Sequence, residues 1–202
     1  MRFSLLAVSD RSTLPGGFAA WCSALAVAGV PALQVREKDL GDRELFELVT
    51  ASRAAFAAPG VLLVNGRIDV ALAAGADGVH LPADGLPVER LRRRFGAVVI
   101  GRSTHRVSEV ERAKDAGADY VTFGPVYETP EKTIFGPPVG LEALSEACAR
   151  SIPVLALGGV TLDRFAELAA AGASGVAGIR MFQQRETLEQ VVRAAQRVFR
   201  TE

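Results

Sequence analysis

Cationic and proton-carrying side chains recur in this sequence directly after short apolar runs. Arg36 and Lys38 follow one such run, His80 ends a second, and His105 stands just beyond a third. Clustered positive charge is costly without a counter-charge, and an imidazole can carry a proton near neutral pH. If the fold brings these residues together, they predict a site for an anionic ligand at which protons could be moved.

Parallel strands of a (β/α)8 barrel would bring these residues to one rim, where such barrels carry out their chemistry. The side chains in or just after the predicted strand ends are Gln34, Arg36, Lys38, Asn65, Arg67, His80, Arg102, Ser103, His105, Tyr127, Glu128, Thr129, Lys132 and Arg180. Lys132 lies in a proline-rich stretch, Gly124–Val139, that could close over the rim. A simple connector is the competing interpretation of that stretch.

A strand, a glycine turn, a helix and a second strand are predicted near the C-terminal end. The run Val154–Leu157 precedes Gly158 and Gly159, and a segment of helical spacing then leads to the run Gly175–Ile179. Glycine lets the backbone approach an anion closely, and a helix start offers unpaired N–H groups. We therefore expect a phosphate at the turns that follow these two strands, which contain Gly158, Gly159 and Gly178.

Eight apolar runs alternate with eight segments of helical spacing along the chain. The predicted strands are Arg2–Val8, Pro31–Arg36, Val61–Val64, Gly78–Leu81, Ala97–Gly101, Tyr120–Phe123, Val154–Leu157 and Gly175–Ile179. Continuous apolar runs are typical of parallel strands buried on both faces. We predict an α/β fold, a single (β/α)8 TIM barrel over residues 1–202. A doubly wound open sheet is the alternative, but it needs an unpaired edge and a topological switch that nothing in the chain indicates.

The composition limits the classes of partner. Lys and Arg number 23, as do Asp and Glu, so the charge balance does not indicate a nucleic-acid or acidic-membrane partner. Cys22 and Cys148 lack the spacing of a zinc site or a disulfide framework, and we expect small buried side chains in a reducing compartment. The apolar N-terminal run is too short for a signal peptide or a membrane span. We therefore expect a cytoplasmic protein.

Blocks along most of the chain resemble one known family. The blocks LQVREKDL, VNGRIDVALAAGADGVHLP, IGRSTH, ADYVTFGPVYETPEK, IPVLALGGVT and GASGVAGI are similar to those of the thiamine phosphate synthase superfamily, which includes a thiazole tautomerase (TenI) branch. The resemblance implies a (β/α)8 barrel, in agreement with the strand count. It also implies a phosphorylated thiazole as the ligand, within thiamine biosynthesis.

The synthase activity of this superfamily implies Mg²⁺ held by carboxylates. The synthase joins an aminopyrimidine diphosphate to a thiazole phosphate and releases pyrophosphate. The two matching carboxylate positions are Gly66 and Gly85 here, and Asp84 lies one residue from the second. Glycine cannot supply the oxygen ligands that Mg²⁺ requires. The positions implied on the pyrophosphate side are retained as Arg36, Lys38, Asn65, Ser103 and Lys132.

The tautomerase branch shares further residues with this sequence. It has Asn65-Gly66-Arg67, Gly101-Arg102-Ser103 and Glu128-Thr129 in common. Its reaction moves a proton within a thiazole carboxylate phosphate, which requires an acid/base and anion contacts but no metal. The histidine that serves as acid/base in that branch corresponds to Pro125 here, so His105 and Glu128 are the predicted catalytic residues. Arg180 replaces a common serine, and it could contact the phosphate or block the pocket.

Three functions therefore stand as hypotheses. The leading one is a TenI-like thiazole tautomerase, an isomerase without metal or cofactor. The second is a thiamine phosphate synthase, a transferase that would use Mg²⁺, and the third is a non-catalytic binder of thiazole or thiamine phosphate. Each predicts a small-molecule partner, and a homodimer stays open. The predicted substrate-binding residues are Arg36, Lys38, Asn65, His80, Arg102, Ser103, Thr129 and Lys132, and the predicted phosphate-binding residues are Gly158, Gly159, Gly178 and Arg180.

Overall fold

Eight short parallel strands form the inner wall of the structure, a computed structural model that describes residues 3–129 and 137–199. Within those ranges the strands are β1 (Leu5–Val8), β2 (Ala32–Val35), β3 (Val61–Asn65), β4 (Gly78–Leu81), β5 (Val99–Thr104), β6 (Tyr120–Phe123), β7 (Val154–Leu157) and β8 (Gly175–Gly178). Each strand pairs with its neighbours in chain order, and β8 pairs with β1 to close the barrel. The predicted (β/α)8 barrel is confirmed, and the open-sheet alternative is excluded.

Helices cover the outside of this barrel. They are α1 (Phe18–Val27), α2 (Asp42–Ala55), α3 (Ile68–Ala73), α4 (Val88–Arg94), α5 (Val107–Asp115), α6 (Gly140–Cys148), α7 (Phe165–Ala170) and α8 (Arg185–Val198). Short 3-10 segments span Arg11–Thr13, Leu162–Arg164 and Arg180–Phe182. None of the helices in the described ranges is both long enough and apolar enough to cross a membrane.

Side chains of alternate strand residues fill two separate cores. The inner core, inside the barrel, contains Leu6, Val8, Ala32, Val61, Leu63, Tyr120, Leu155 and Ala177. The outer core, between the sheet and the helices, contains the intervening residues, such as Leu5, Leu33, Leu62 and Val64. Because both faces of each strand are buried, the sequence shows continuous apolar runs, as parallel strands require.

Two of the predicted element boundaries are wrong in ways that bear on the site. Strand β5 runs from Val99 to Thr104, whereas the prediction was Ala97–Gly101, because Arg102, Ser103 and Thr104 pair with β4 or β6. Strand β8 ends at Gly178, so this glycine closes a strand and does not form the turn after it. The last three residues of β5 are polar, so the apolar pattern of the sequence did not indicate that the strand continues to Thr104.

The two cysteines lie in helices. Cys22 is buried in α1 and Cys148 is half-buried in α6, and both are free thiols. Burial raises the pKa of the Cys22 thiol to about 12 and that of Cys148 to about 11. Both therefore stay protonated near neutral pH and pack as small apolar side chains.

Candidate active site

Residues from neighbouring strands meet at the C-terminal end of the barrel. The strand register places Asn65 beside His80 and His80 beside Gly101, so β3, β4 and β5 end at the same level. Arg36, one residue beyond β2, lies near enough for its charge to act on His80. The structure therefore brings Arg36, Asn65, His80 and Ser103 to one part of the mouth, which we call the β2–β5 side.

His80 is the centre of a buried hydrogen-bond network on this side. Its Nδ1 lies 2.9 Å from the Tyr120 hydroxyl and its Nε2 lies 2.9 Å from Ser103 Oγ, with Thr122 Oγ1 at 3.4 Å. Only 3% of His80 is exposed. Burial lowers the pKa of His80 to about 3, assisted by the charges of Arg102 and Arg36. The imidazole ring of His80 is therefore neutral. It orients the Ser103 hydroxyl from inside the barrel, and very little of the ring is accessible from the mouth.

The Arg102 side chain contacts the loop after β4. Its guanidinium donates hydrogen bonds to the carbonyl oxygens of Ala83 at 2.7 Å and Leu86 at 2.8 Å. Successive strand residues face opposite sides of a sheet. Gly101 faces the inside of the barrel, so the next residue, Arg102, faces outwards. The sequence could not distinguish it from its neighbour Ser103 until the end of β5 was known. Arg102 therefore holds the loop after β4 in the structure, and its contact with the substrate stays a prediction.

Gln34 contributes an unpaired polar atom within the barrel. It is 3% exposed, and its Oε1 finds no hydrogen-bond donor within the described residues. The residue pairs with Val8 of β1 and Leu63 of β3, directly below the level of Arg36. A buried acceptor without a donor costs about 1–3 kcal/mol. Such an atom is a candidate for contact with a ligand that carries an N–H group.

Two further residues of this side, Ser9 and Glu37, were not among the predicted site residues. Ser9 Oγ lies 2.5 Å from Glu37 Oε1 and accepts a hydrogen bond from the Arg36 backbone N–H at 2.8 Å. Both residues are buried. The only signal in the sequence was their position, directly after the first apolar run and next to Arg36. Lys38, by contrast, is exposed beyond the network.

The turn after β7 lies on the opposite part of the mouth, which we call the β6–β8 side. Gly158 and Gly159 adopt positive φ angles of 95° and 64°. A Cβ atom on Gly159 would lie 2.6 Å from the Glu128 carbonyl oxygen, and one on Gly158 would lie 2.5 Å from Pro125 Cβ. Both glycines are therefore required by close packing against the loop after β6, in addition to any contact with an anion.

A cavity of about 620 Å³ opens on the β6–β8 side. Its lining includes every predicted phosphate-binding residue together with Glu128, Thr129, Thr161, Arg164, Gln184 and Thr187. Arg180 is exposed at the start of its 3-10 segment, and Gly178 contributes the end of β8. The combination of close backbone, hydroxyl groups and two arginines suits a phosphate group.

Arg164 connects the glycine turn to the loop after β6. Its guanidinium donates a hydrogen bond to the Gly159 carbonyl oxygen at 2.8 Å, and its Cζ lies 3.9 Å from the centre of the Tyr127 ring. The Tyr127 hydroxyl donates to Glu167 Oε1 at 2.5 Å. Burial, assisted by this hydrogen bond, raises the pKa of the phenol. The stacked arginine and the hydrogen-bonded tyrosine fix the backbone just before Glu128.

The two predicted catalytic residues occupy different surroundings. The His105 ring contacts the Gly124 carbonyl oxygen through Nδ1, next to Pro125, and its backbone N–H donates to Glu109 Oε2 at 2.7 Å. Glu128 is exposed and lines the cavity of the β6–β8 side, as does Thr129. Lys132, predicted to bind substrate, lies outside the described residues. The proton-transfer roles of His105 and Glu128 remain predictions.

The described residues do not fit the paired carboxylates that Mg²⁺ would require. Gly66 and Gly85 occupy the two positions, and no group of three His, Cys, Asp or Glu side chains in the described ranges could hold a metal ion. The nearby carboxylates of Asp42 and Asp69 each accept a hydrogen bond of 2.7 Å from the Arg67 guanidinium. Asp84 is exposed, one residue before Gly85.

The fold and the site together define a (β/α)8-barrel protein whose polar C-terminal mouth has separate sides suited to anionic groups. The model of the thiamine monophosphate synthase family matches residues 5–182, and the chain belongs to this family. The superfamily to which the sequence motifs pointed is thereby confirmed.

Individual relatives agree with this assignment. The thiamine-phosphate synthase of Methanoculleus marisnigri is 42% identical over 183 residues, which cover 89% of this chain and 87% of that protein. The thiamine-phosphate synthase of a Roseiflexus species is 44% identical over 160 residues, covering 78% and 68%. A solved structure, thiamine phosphate pyrophosphorylase from Pyrococcus furiosus, has a TM-score of 0.88 at 28% identity and covers 98% of this chain and 97% of its own. These names describe a transferase and not an isomerase.

Proposed function

We propose that this protein is a thiamine-phosphate synthase, an enzyme of thiamine biosynthesis that joins an aminopyrimidine diphosphate to a thiazole phosphate. The names of its relatives support a transferase more than the isomerase that the sequence motifs favoured. In this reaction the thiazole nitrogen attacks the methylene carbon of the pyrimidine. The bond from that carbon to the diphosphate oxygen breaks, and pyrophosphate leaves with the electron pair.

The unpaired Oε1 of Gln34 is the observation that carries this proposal. The thiazole ring of a thiazole phosphate has no N–H group that could donate to this acceptor. The exocyclic amine of an aminopyrimidine can donate such a bond, and it would remove the cost of leaving Oε1 without a partner. Gln34 lies below Arg36 in the barrel, so we propose that the pyrimidine ring enters the barrel there while its diphosphate stays at the rim.

The two sides of the mouth suit the two substrates. On the β2–β5 side, Arg36 and Lys38 would meet the negative charge of the diphosphate, while Asn65 and Ser103 would donate hydrogen bonds to its oxygens. On the β6–β8 side, the 620 Å³ cavity would hold the thiazole phosphate. Since the described residues do not fit a magnesium site, we assign charge neutralisation on the leaving pyrophosphate to these protein side chains.

A thiazole tautomerase is the second candidate, and one observation favours it. Gly66 and Gly85 remove the paired carboxylates, which a proton shift within one thiazole carboxylate phosphate does not need. Glu128 lines the cavity beside the predicted phosphate turn, and His105 lies beside Pro125. These two residues would then exchange the proton, with the phosphate at the glycine turn.

Product analysis separates these reactions. We expect the protein to release pyrophosphate only when the aminopyrimidine diphosphate and the thiazole phosphate are both present. The assay is run in parallel with and without added Mg²⁺. Isomerised product from thiazole carboxylate phosphate, without pyrophosphate release in the first assay, would replace the synthase by the tautomerase. Binding of thiazole phosphate without turnover in either assay would support a non-catalytic binder and contradict both enzymes.

A further inference from the structure

We propose that Glu37 and Ser9 are positioning residues that hold Arg36 in place for the anionic part of the ligand. The inference rests on the proposed function, because it assigns the diphosphate to the β2–β5 side. Neither residue needs to touch the ligand itself. Their contribution is to fix the chain where it leaves β2, at the point where Arg36 must face the mouth.

Glu37 is a buried carboxylate, and within residues 3–129 and 137–199 its partners Ser9 and Arg11 both lie on the segment after β1. Only 7% of Glu37 is exposed. The Ser9 hydroxyl donates to its Oε1, and the Arg11 backbone N–H lies 3.2 Å from each of its two oxygens. Burying a carboxylate is costly unless hydrogen-bond donors surround it. Glu37 therefore locks the end of β2 to the residues that follow β1.

Ser9 transmits this constraint to Arg36. A hydroxyl has one proton to donate, and Ser9 gives it to Glu37. Its lone pairs are thereby turned towards the Arg36 backbone N–H, which donates to Ser9 Oγ at 2.8 Å. Strand β2 ends at Val35, so this side-chain contact continues the β1–β2 pairing by one residue. The backbone N–H of Ser9 in turn donates to the Gln34 carbonyl oxygen at 2.9 Å.

An exposed ion pair closes the outside of the same loop, but it has a smaller role. Arg11 binds Asp39 through two hydrogen bonds of 2.8 and 2.7 Å, and the Asp39 side chain is 65% exposed. Exposed ion pairs contribute little because water and salt screen them. Asp39 therefore provides a matched control: it is an acidic residue on the same loop that lacks the buried link through Ser9.

The test compares ligand affinity in three variants. Calorimetric titration with inorganic pyrophosphate should show at least about tenfold weaker binding for Glu37→Gln and Ser9→Ala than for the wild type, a loss of about 1.4 kcal/mol. The pyrophosphate affinity of Asp39→Asn should stay within about twofold of the wild-type value. The affinity of all three variants for thiazole phosphate should also stay within about twofold of the wild-type value. Equal losses for both ligands would overturn the positioning role and indicate general damage to the fold.

A double-mutant cycle tests whether Glu37 acts through Arg36. In an Arg36→Ala background, Glu37→Gln should cause almost no further loss of pyrophosphate affinity. A loss as large as in the wild-type background would overturn the inference. If the wild type binds no pyrophosphate, the diphosphate part of the proposed function fails. Hydrogen exchange at the Arg36 amide then decides the inference separately: faster exchange in Ser9→Ala than in Asp39→Asn supports it, and equal rates overturn it.

Discussion

Ser103 Oγ lies 2.9 Å from Nε2 of His80, whose other ring nitrogen lies 2.9 Å from the buried Tyr120 hydroxyl. Burial raises the pKa of the Tyr120 phenol well above its ordinary value, while it lowers that of His80. The Tyr120 phenol and the His80 imidazole are consequently both neutral. Because Tyr120 fixes the ring of His80 inside the barrel, His80 in turn fixes the position of the Ser103 hydroxyl at the mouth. His80 therefore supports Ser103 in the structure, and its predicted contact with the substrate stays a prediction.

The neutral state of His80 makes the stability of the fold depend on pH. An unfolded histidine takes up its proton near pH 6.5, whereas folded His80 does so only near pH 3. The unfolded chain therefore binds more protons between these values, and the free energy of unfolding should fall by up to ~1.4 kcal/mol per pH unit as the pH drops through this range. Urea unfolding of the wild type and of His80→Gln, between pH 4 and 8, measures this dependence. Equal acid-side slopes for the two proteins would show that His80 is already protonated in the fold.

The contact between Arg164 and Tyr127 should couple the loop after β6 to the phosphate turn. We expect Arg164→Ala to weaken thiazole phosphate binding, because the Gly159 carbonyl loses its donor and Tyr127 its stacked partner. A double-mutant cycle with Tyr127→Leu should give a coupling free energy of about 1 kcal/mol in stability. Additive effects of the two substitutions would mean that the stacked pair does not hold the loop.

Gly159 should be sensitive to substitution for two reasons, and Gly75 for only one. Both have positive φ angles, but a Cβ on Gly75 meets no atom within 4 Å. Gly75→Ala should therefore cost about 1 kcal/mol from backbone strain alone. Gly159→Ala should cost a further ~1–3 kcal/mol from overpacking against Tyr127 and the Glu128 carbonyl. Thermal unfolding measures both costs, and thiazole phosphate affinity should fall only in Gly159→Ala. Equal stabilities of the two variants would contradict the tight packing of the turn.

Substitution of Gly66 can test whether a missing carboxylate is what limits Mg²⁺ binding. Its φ is 71°, which Asp tolerates better than most residues, and the nearest atom to a Cβ there is Pro82 Cδ at 3.7 Å. Gly66→Asp should increase Mg²⁺ affinity on the order of tenfold, since a carboxylate supplies a hard oxygen ligand. Gly66→Asn, equal in shape but uncharged, is the control. Pyrophosphate release that responds to Mg²⁺ equally in the wild type and both variants would show that the ion is held elsewhere.

The fold followed closely from the sequence because its signal is repeated eight times. Each apolar run marks a strand buried on both faces, and glycines such as Gly75 and Gly172 mark the helix ends with positive φ angles. The end of β5 was missed because Arg102 and Thr104 are polar although they pair in the sheet. Apolar patterning is informative only where the buried side chains are themselves apolar.

The site was less predictable because it depends on which way each side chain faces. Ser103 and Arg102 are adjacent in the sequence, yet one contacts His80 and the other holds the loop after β4. Glu37 stands in a charged stretch of the sequence, but its partner Ser9 lies 28 residues earlier. No pattern in the sequence indicates that the side-chain oxygen of Gln34 is buried without a hydrogen-bond donor. These features follow from the strand register, which a single sequence does not specify.

The proposed pyrimidine site at Gln34 is tested by comparing the affinities of Gln34→Met and the wild type for the aminopyrimidine diphosphate. Methionine keeps nearly the same length and volume but removes the acceptor, so a lost hydrogen bond can be separated from lost packing. We predict that calorimetric titration will show binding weakened about tenfold to a hundredfold, with thiazole phosphate binding unchanged. Equal affinity of the two proteins for the aminopyrimidine diphosphate would rule out a pyrimidine contact at Gln34, as would a wild type that does not bind it.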